Sequence, residues 1–241
     1  VTTASPSTKC TIDVNSNKAN QYQIAGCVNQ SNNNKTAPYQ VDIAVRNVEL
    51  YVTQLINQSL VNNHIMLTGS IQFGSLPQGL KPLLVVNADN LQKILSDMLK
   101  PSDNLYANAL FKKIGQVILR EGTWQASQKA VEGILQTKLG INPKDIMIVD
   151  GSGTSRYNLV TARQIFLILN AVYNDPRLSQ TFISALPISG TDGTLQTRMQ
   201  EPDLKGRVLA KTGSMTGVSS LSGYIKTNNH QTLIFVILMN N

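Results

Sequence analysis

Apolar residues recur at three- and four-residue steps through the middle of the chain, and this spacing predicts a series of amphipathic helices. The first stripe covers residues 41–60 and ends at Asn62 and Asn63. Further helices are predicted over residues 88–100, from about Tyr106 to Ile118, over 124–139 and over 161–175, with Asp89 or Asn90 and Thr161 as candidate N-caps.

Alternating apolar and polar positions predict strands, chiefly near the end of the sequence. Three successive strands are predicted over residues 207–213, 218–227 and 231–239, the last two joined by a turn at Asn228-Asn229. A strand is predicted over residues 65–74, and a short strand that runs into a glycine turn is predicted over residues 146–153, whereas residues 179–206 are predicted to be irregular. Helices in the middle followed by antiparallel strands indicate an α+β fold.

The first part of the chain has a different pattern, with two short strands around a polar turn between Cys10 and Cys27. A hairpin of this length would bring its ends side by side, so we expect a Cys10–Cys27 disulfide. Such a bridge would stabilise the fold by about 3 kcal/mol and imply an oxidising compartment. The alternative is a pair of free, half-buried thiols. The polar residues 31–38 are predicted to be a linker or an exposed turn.

Composition narrows the class of protein. Hydrophobic residues make up 41% of the 241 positions, so most of the chain can bury a core. The net charge is +7, but the basic residues are scattered, which argues against nucleic-acid binding. A basic surface would suit an anionic polymer such as a cell wall, or would serve solubility alone. No apolar stretch reaches the length of a membrane helix. The polar opening lacks a signal-peptide core, so we expect a cytosolic protein or one whose leader has been removed.

Candidate chemistry begins with Lys211-Thr212-Gly213 at the end of a predicted strand. Lys-Thr-Gly is a motif of serine enzymes that attack penicillin or D-alanyl peptides. A given tripeptide occurs by chance in roughly one chain of this length in twenty, and a solvated strand end is the alternative. The small residues Gly213, Ser214 and Gly217 leave room for another molecule to approach the backbone.

A second motif of those enzymes, Ser-x-Asn, occurs as Ser102-Asp103-Asn104 in the corner between two predicted helices. It also occurs at residues 31–33, in a polar loop. Helix capping alone would explain the first occurrence, since Ser and Asp are good caps. Its position before Lys-Thr-Gly, separated by a long helical stretch, makes the pair more specific than either motif.

Together the two motifs predict a site for a peptide that ends in a carboxylate and lies along the strand as an added strand. Lys211 would supply positive charge near that carboxylate, and Thr212 would donate a hydrogen bond to it. The backbone N–H of Ser214 would form half of an oxyanion hole. Ser102 would pass a proton, and Asn104 would hold the substrate's amide.

Two further stretches are distinctive but are interpreted structurally. Residues 149–159 and 190–198 each combine Asp, Gly and Arg, and we expect tight turns stiffened by Asp–Arg pairs. Neither adds a group of metal ligands, so no metal and no cofactor is expected.

Four stretches, in order, resemble the penicillin-binding protein 4 type of D-alanyl-D-alanine carboxypeptidase/endopeptidase. They are SDMLKPSDNLYANALFKKIG, IVDGSGTSRYNL, LPISGTDGTLQTR and AKTGSMTGVSSLSGYI, and CTIDV…YQIAGCV resembles the end of that family's β-rich insertion. The resemblance implies cleavage of D-Ala-D-Ala or D-Ala cross-links in periplasmic peptidoglycan, through an acyl-serine that penicillin also forms. It implies residues 1–36 as the end of the insertion and 37–241 as an incomplete penicillin-binding domain.

The sequence departs from this family at the nucleophile. The family's Ser-x-x-Lys motif is absent, because no lysine of the chain has a serine three positions before it. We therefore expect the nucleophile to lie upstream, and the family's closing C-terminal helix to lie downstream. The expected partners are peptidoglycan peptides and β-lactams, with the missing N-terminal segment or a second copy of the chain as further candidates. A non-catalytic peptidoglycan-binding or assembly module and, more remotely, a serine β-lactamase are the alternatives.

Overall fold

The computed structural model describes residues 2–4, 10–29, 43–75, 77–82, 84–229 and 231–240. The chain divides into two compact units, Val1–Val85 and Val86–Asn241. The predicted domain boundary at residues 36 and 37, the predicted linker and the second Ser-x-Asn all fall among residues 30–42, outside the described residues, and stay predictions.

The first unit contains a small mixed sheet of three strands, β1 (Thr2–Ala4), β2 (Ile12–Ser16) and β3 (Tyr22–Asn29), in the order β1-β3-β2. Strands β2 and β3 form the predicted hairpin, with Ile12 opposite Gly26 and Ser16 opposite Tyr22. Cys10 and Cys27 are joined by the predicted disulfide, with Cα atoms 5.3 Å apart. The disulfide prediction is therefore confirmed, and the parallel strand β1 is an addition to it.

Helix α1 (Val48–Asn62) starts later than the predicted residue 41. The side chain of Asn47 accepts from Leu50 N and so caps the helix. The Asn20 side chain also binds Asn47, accepting from its N–H at 2.8 Å and donating to its C=O at 2.7 Å. These bonds fix Asn47 in an extended conformation, so the apolar stripe before it cannot continue the helix.

The strand predicted over residues 65–74 is wrong. Residues 65–75 have no regular secondary structure, and none of the described strands pairs with them. Met66 is 84% exposed and Phe73 is 48% exposed, so the alternating pattern does not mark a buried face. A strand without a partner leaves its backbone groups unpaired, which is why alternation alone did not produce one.

Among its described residues, the second unit contains five α-helices: α2 (Leu91–Leu99), α3 (Asn104–Leu119), α4 (Trp124–Leu139), α5 (Ala162–Asn174) and α6 (Ser179–Ala185). Asn90 caps α2, and Thr161 caps α5 in a capping box with Gln164, as the sequence predicted. None of the helices that the structure describes is long and apolar enough to cross a bilayer.

Helix α6 corrects the prediction that residues 179–206 are irregular. It packs against α2 and α5, and Ala185 at its end is completely buried. Its seven residues are too few for a periodic stripe to stand out, so tertiary packing stabilises it. The segment after it contains a short 3-10 turn at Gly193–Leu195 and a single bridge between Ile188 and Leu209.

An antiparallel sheet completes this unit, with β4 (Val208–Met215), β5 (Val218–Lys226) and β6 (Thr232–Asn240) in sequence order. All three strands were predicted, and the β5–β6 turn lies at Asn228-Asn229. A cluster around Leu186, Leu209 and Tyr224 joins this sheet to the helices. The predicted α+β class is confirmed.

The strand predicted over residues 146–153 is reduced to a single bridge between Met147 and Leu159. Side-chain oxygens accept hydrogen bonds from backbone N–H groups that would otherwise pair with another strand. Asn158 Oδ1 accepts from Val149 N at 2.8 Å, and Asp150 Oδ1 accepts from Gly153 N at 2.6 Å. Local bonds of this kind favour turns over strands.

Candidate active site

The corner between α2 and α3 holds Ser102 and Asn104 in place. Asp103 caps α3 by accepting from Tyr106 N at 2.9 Å, and its own N–H donates to Met98 O at 2.8 Å. Ser102 consequently adopts a left-handed backbone with φ of +66°. For a residue other than glycine this conformation costs about 1–3 kcal/mol. The capping interpretation thus holds for Asp103, whereas Ser102 and Asn104 line a cavity.

Strand β4 changes character along its length. At its start, Val208 O accepts from Ser189 N at 2.9 Å and Ala210 N donates to Pro187 O at 3.0 Å, so both edges are paired. Backbone groups of alternate residues point to the same edge of a strand. Thr212 and Ser214 therefore present their backbone groups on this same edge, beyond the last paired residue.

Lys211 joins the two motifs, although 109 positions separate it from Ser102. Its Nζ donates to Ser102 Oγ at 2.6 Å and to Thr212 O at 2.7 Å. Burial lowers the pKa of Lys211, because desolvation disfavours its charged form. No acidic side chain pairs with Lys211 within the part of the chain that the structure describes. A half-buried lysine without a carboxylate partner can receive an anion or exchange a proton with Ser102.

All six residues predicted for the site line one cavity of about 690 Å³. Its apolar floor comes from α2 and α3. The predicted members are Ser102, Asn104, Lys211, Thr212, Gly213 and Ser214. Their proximity is an observation, and their catalytic roles stay predictions. No cluster of three metal-ligating side chains occurs among the described residues.

The loop of residues 151–154 also lines the cavity, a role that the sequence interpretation missed. Asn108 on α3 holds this loop by accepting from Gly151 N at 3.0 Å and from Ser152 N at 3.1 Å. A Cβ at position 151 would lie 2.5 Å from Phe111 Cβ, so only glycine lets the loop approach α3 this closely. The glycine-rich run at 151–153 was the available signal.

The predicted Asp–Arg pairs do not form in either distinctive turn. Asp150 accepts from backbone N–H groups of its own loop, while Arg156 donates to Thr216 O at 2.7 Å. Asp192 instead pairs with Lys100 at 2.5 Å. Arginine and lysine thus tie each turn to a distant element, which spacing within the turn could not reveal.

The turn at residues 190–195 lies behind β4 and reaches both motifs. Lys100 O accepts from Thr194 N at 3.0 Å, which places the turn against the segment leading to Ser102. On the other side, Thr212 Oγ1 donates to Thr194 Oγ1 at 2.9 Å. No sequence pattern predicted that Thr194 contacts the Lys-Thr-Gly motif.

The chain is similar to proteins named as D-alanyl-D-alanine carboxypeptidases and to a penicillin binding protein. D-alanyl-D-alanine carboxypeptidase DacB of Haemophilus influenzae is 32% identical over 96% of this chain and 48% of its own length. A D-alanyl-D-alanine carboxypeptidase of Actinomadura is 37% identical over 71% of this chain and 33% of its own length. This chain therefore spans about half or less of the length of these relatives.

A solved structure of penicillin binding protein 4 from Haemophilus influenzae, complexed with a β-lactam, matches with a TM-score of 0.79 and 31% identity. The match covers 96% of this chain and 53% of the other. The family model of the D-Ala-D-Ala carboxypeptidase 3 (S13) family matches residues 1–241. The chain therefore belongs to the D-Ala-D-Ala carboxypeptidase 3 (S13) family.

Proposed function

We propose that this chain supplies the peptide-binding part of a serine-type D-Ala-D-Ala carboxypeptidase/endopeptidase that acts on peptidoglycan through an acyl-enzyme. One observation carries the proposal. The Ser-x-Asn and Lys-Thr-Gly motifs meet at one cavity, where Lys211 Nζ lies 2.6 Å from Ser102 Oγ. Family membership and the names of the relatives support the same activity.

The substrate would add to β4 along the edge that, beyond Ala210, has no backbone partner among the described residues. The backbone groups of Thr212 and Ser214 would pair with the peptide, which is the usual way in which an extended peptide joins a sheet. The terminal carboxylate would accept from the Thr212 hydroxyl and lie in the field of Lys211. Asn104, at the start of α3, would hold the amide of the preceding residue.

The chemical step follows from this placement. The hydroxyl oxygen of a serine nucleophile would attack the carbonyl carbon of the penultimate D-Ala while its proton passes to the lysine of the family's Ser-x-x-Lys motif, and the resulting oxyanion would accept from Ser214 N–H. Ser102 would deliver a proton from Lys211 to the departing D-Ala amine as the C–N bond breaks. Water would then hydrolyse the acyl-serine.

We propose that the nucleophile lies outside these 241 residues, because they contain no Ser-x-x-Lys and span about half the length of their relatives. The β-lactam complex of the Haemophilus influenzae protein supports β-lactams as ligands of this cavity. The Cys10–Cys27 disulfide fits an extracytoplasmic location, and we propose the periplasm.

The test is the intact mass of the full-length gene product before and after incubation with benzylpenicillin, together with release of D-alanine from a D-Ala-D-Ala peptide. We expect a mass above 26.3 kDa, the mass of these 241 residues, a lasting penicillin adduct and D-alanine release. Reversible peptide binding with neither adduct nor release would indicate a binding module. Rapid penicillin hydrolysis without D-alanine release would indicate a β-lactamase. Either result would contradict the proposal.

A further inference from the structure

The hydrogen bond between Thr212 and Thr194 has a consequence for substrate recognition. Thr212 Oγ1 donates to Thr194 Oγ1 at 2.9 Å, and Thr194 itself does not line the cavity. A hydroxyl carries a single proton. In this state the only proton of Thr212 therefore points at Thr194 and away from the place where a carboxylate would bind.

Thr194 is held rigidly behind Thr212. Its N–H donates to Lys100 O at 3.0 Å, and the next residue, Leu195, is completely buried. A β-branched side chain has few rotamers once its backbone is fixed. The Thr194 hydroxyl is therefore a fixed partner for Thr212.

Three further contacts fix the turn that carries Thr194. Lys100 Nζ pairs with Asp192 Oδ2 at 2.5 Å and donates to Leu186 O at 3.1 Å, while Asp192 Oδ1 accepts from Ile188 N at 2.9 Å. A Cβ at Gly193 would lie close to the Lys100 backbone, 3.1 Å from its carbonyl carbon, so the turn sits directly on that segment. The Lys100 segment also leads into Ser102, so these contacts support both the Ser-x-Asn and the Lys-Thr-Gly motif.

We propose that Thr194 is a positioning residue for carboxylate recognition, and that the Thr212–Thr194 hydrogen bond reverses when substrate binds. Thr194 would then donate to Thr212, and Thr212 would donate to the carboxylate. Each hydroxyl keeps a partner in both states, so binding leaves neither group unsatisfied. Donation from Thr194 also polarises the Thr212 hydroxyl and strengthens its bond to the anion. This inference rests on the proposed function.

The test compares Thr194→Val with Thr194→Ser in the full-length gene product. Valine keeps the shape of threonine and removes the hydroxyl, whereas serine keeps the hydroxyl. Two peptides are assayed, one ending in a free carboxylate and one in a carboxamide, both with an activated ester as the scissile bond so that the second remains measurable. We expect Thr194→Val to lower kcat/KM about three- to tenfold for the carboxylate peptide, mainly through KM, and to leave the carboxamide peptide unchanged.

Thr191→Val is the matched control, because Thr191 belongs to the same turn and its hydroxyl donates to Ser189 O rather than to Thr212. It should leave both peptides unaffected, and Thr194→Ser should retain wild-type discrimination. The proposal is overturned if Thr194→Val changes neither peptide, if it weakens both equally, if Thr191→Val has the same effect, or if Thr194→Ser loses the discrimination. A wild-type protein that cleaves neither peptide and forms no penicillin adduct would instead contradict the proposed function.

Discussion

The two halves of strand β4 have the same backbone conformation and opposite surroundings. Val208, Leu209 and Ala210 are 2%, 7% and 0% exposed, and the edge next to the helices is paired with Ser189 and Pro187. From Lys211 onward the side chains are half-buried or exposed, and the same edge borders the cavity. One strand thus serves as core at its start and as a binding edge at its end.

The difference shows how a sheet can offer an unpaired edge without becoming unstable. Unpaired strand edges invite aggregation unless they are short or interrupted. Here the residues of 187–189 cover the edge up to Ala210, so only the cavity segment is left open. The buried half supplies the packing, and the open half can carry a half-buried lysine and small residues that would weaken a core.

Lys211→Met gives the largest expected effect and separates the two halves most clearly. In the full-length gene product it should lower D-alanine release by about 10³-fold, the usual size of a lost proton-transfer group. The stability of the fold should not decrease. Burial lowers the pKa of Lys211, so the folded state is penalised while the lysine is charged in both states. The methionine variant should therefore unfold at the same or a higher temperature at pH 7.

The lowered pKa of Lys211 also predicts in which direction the stability difference between wild type and Lys211→Met changes with pH. The stability contribution of a group with a lowered folded pKa is complete above the unfolded pKa, 10.5 here, and is lost as pH falls through the folded value. The stability of the wild type relative to Lys211→Met should thus rise as pH approaches 10.5. Thermal unfolding against pH measures it. A large drop in unfolding temperature at pH 7 would show that Lys211 supports the fold and is not mainly functional.

Two glycine substitutions test the same contrast through packing. A Cβ at Gly223 would meet the backbone of the buried half, with Ala210 Cα 2.6 Å away. A Cβ at Gly213 would meet only the hydroxyl of Ser220, a side chain that can rotate. We expect Gly223→Ala to lower the free energy of unfolding by about 2–3 kcal/mol and Gly213→Ala by less than about 1 kcal/mol.

Denaturant unfolding of the two variants measures these losses, and the rate of penicillin adduct formation is followed alongside. Gly213→Ala should slow the adduct, because the added methyl enters the cavity wall, while Gly223→Ala should affect it only through stability. Equal losses of stability would show that both halves of β4 are packed alike, which would contradict the comparison.

The sequence predicted this architecture best where local rules determine it. Helix α4 begins and ends where predicted, because Thr123 caps its start and Gly140 ends it in a left-handed conformation. The three sheet strands follow from alternation and a tight turn. Residues 65–74 show the limit of the same rule, since an alternating apolar pattern forms a strand only when another strand is available to pair with it.

Short motifs could predict which residues belong to the site, but not which contacts hold those residues in place. Short motifs identified Ser102 and Lys211, which lie at the cavity as expected. The bonds from Asn108 to the 151–154 loop and from Thr212 to Thr194 join residues 43 and 18 positions apart. Such contacts depend on how helices, turns and sheet pack together. Asn and Thr are common residue types, so their identity alone does not predict these contacts.

Tyr224→Phe should have a smaller effect than Gly223→Ala and tests the buried half alone. Tyr224 lies opposite Leu209, is completely buried, and donates to Leu169 O at 2.8 Å. Losing this bond should cost about 1 kcal/mol of unfolding free energy at pH 7 and leave penicillin adduct formation unchanged.

The pH dependence of stability gives a second test. Burial raises the pKa of Tyr224 to about 12 from 10.0, so its contribution to the free energy of unfolding is complete below pH 10 and is lost as pH rises towards 12. Tyr173→Phe, at a partly exposed neighbouring ring, keeps the Tyr224 hydroxyl and should still lose stability between pH 10 and 12, whereas Tyr224→Phe should not. If Tyr224→Phe slowed the adduct while stability held, the buried half would be shaping the cavity directly, and the division of β4 into core and binding edge would fail.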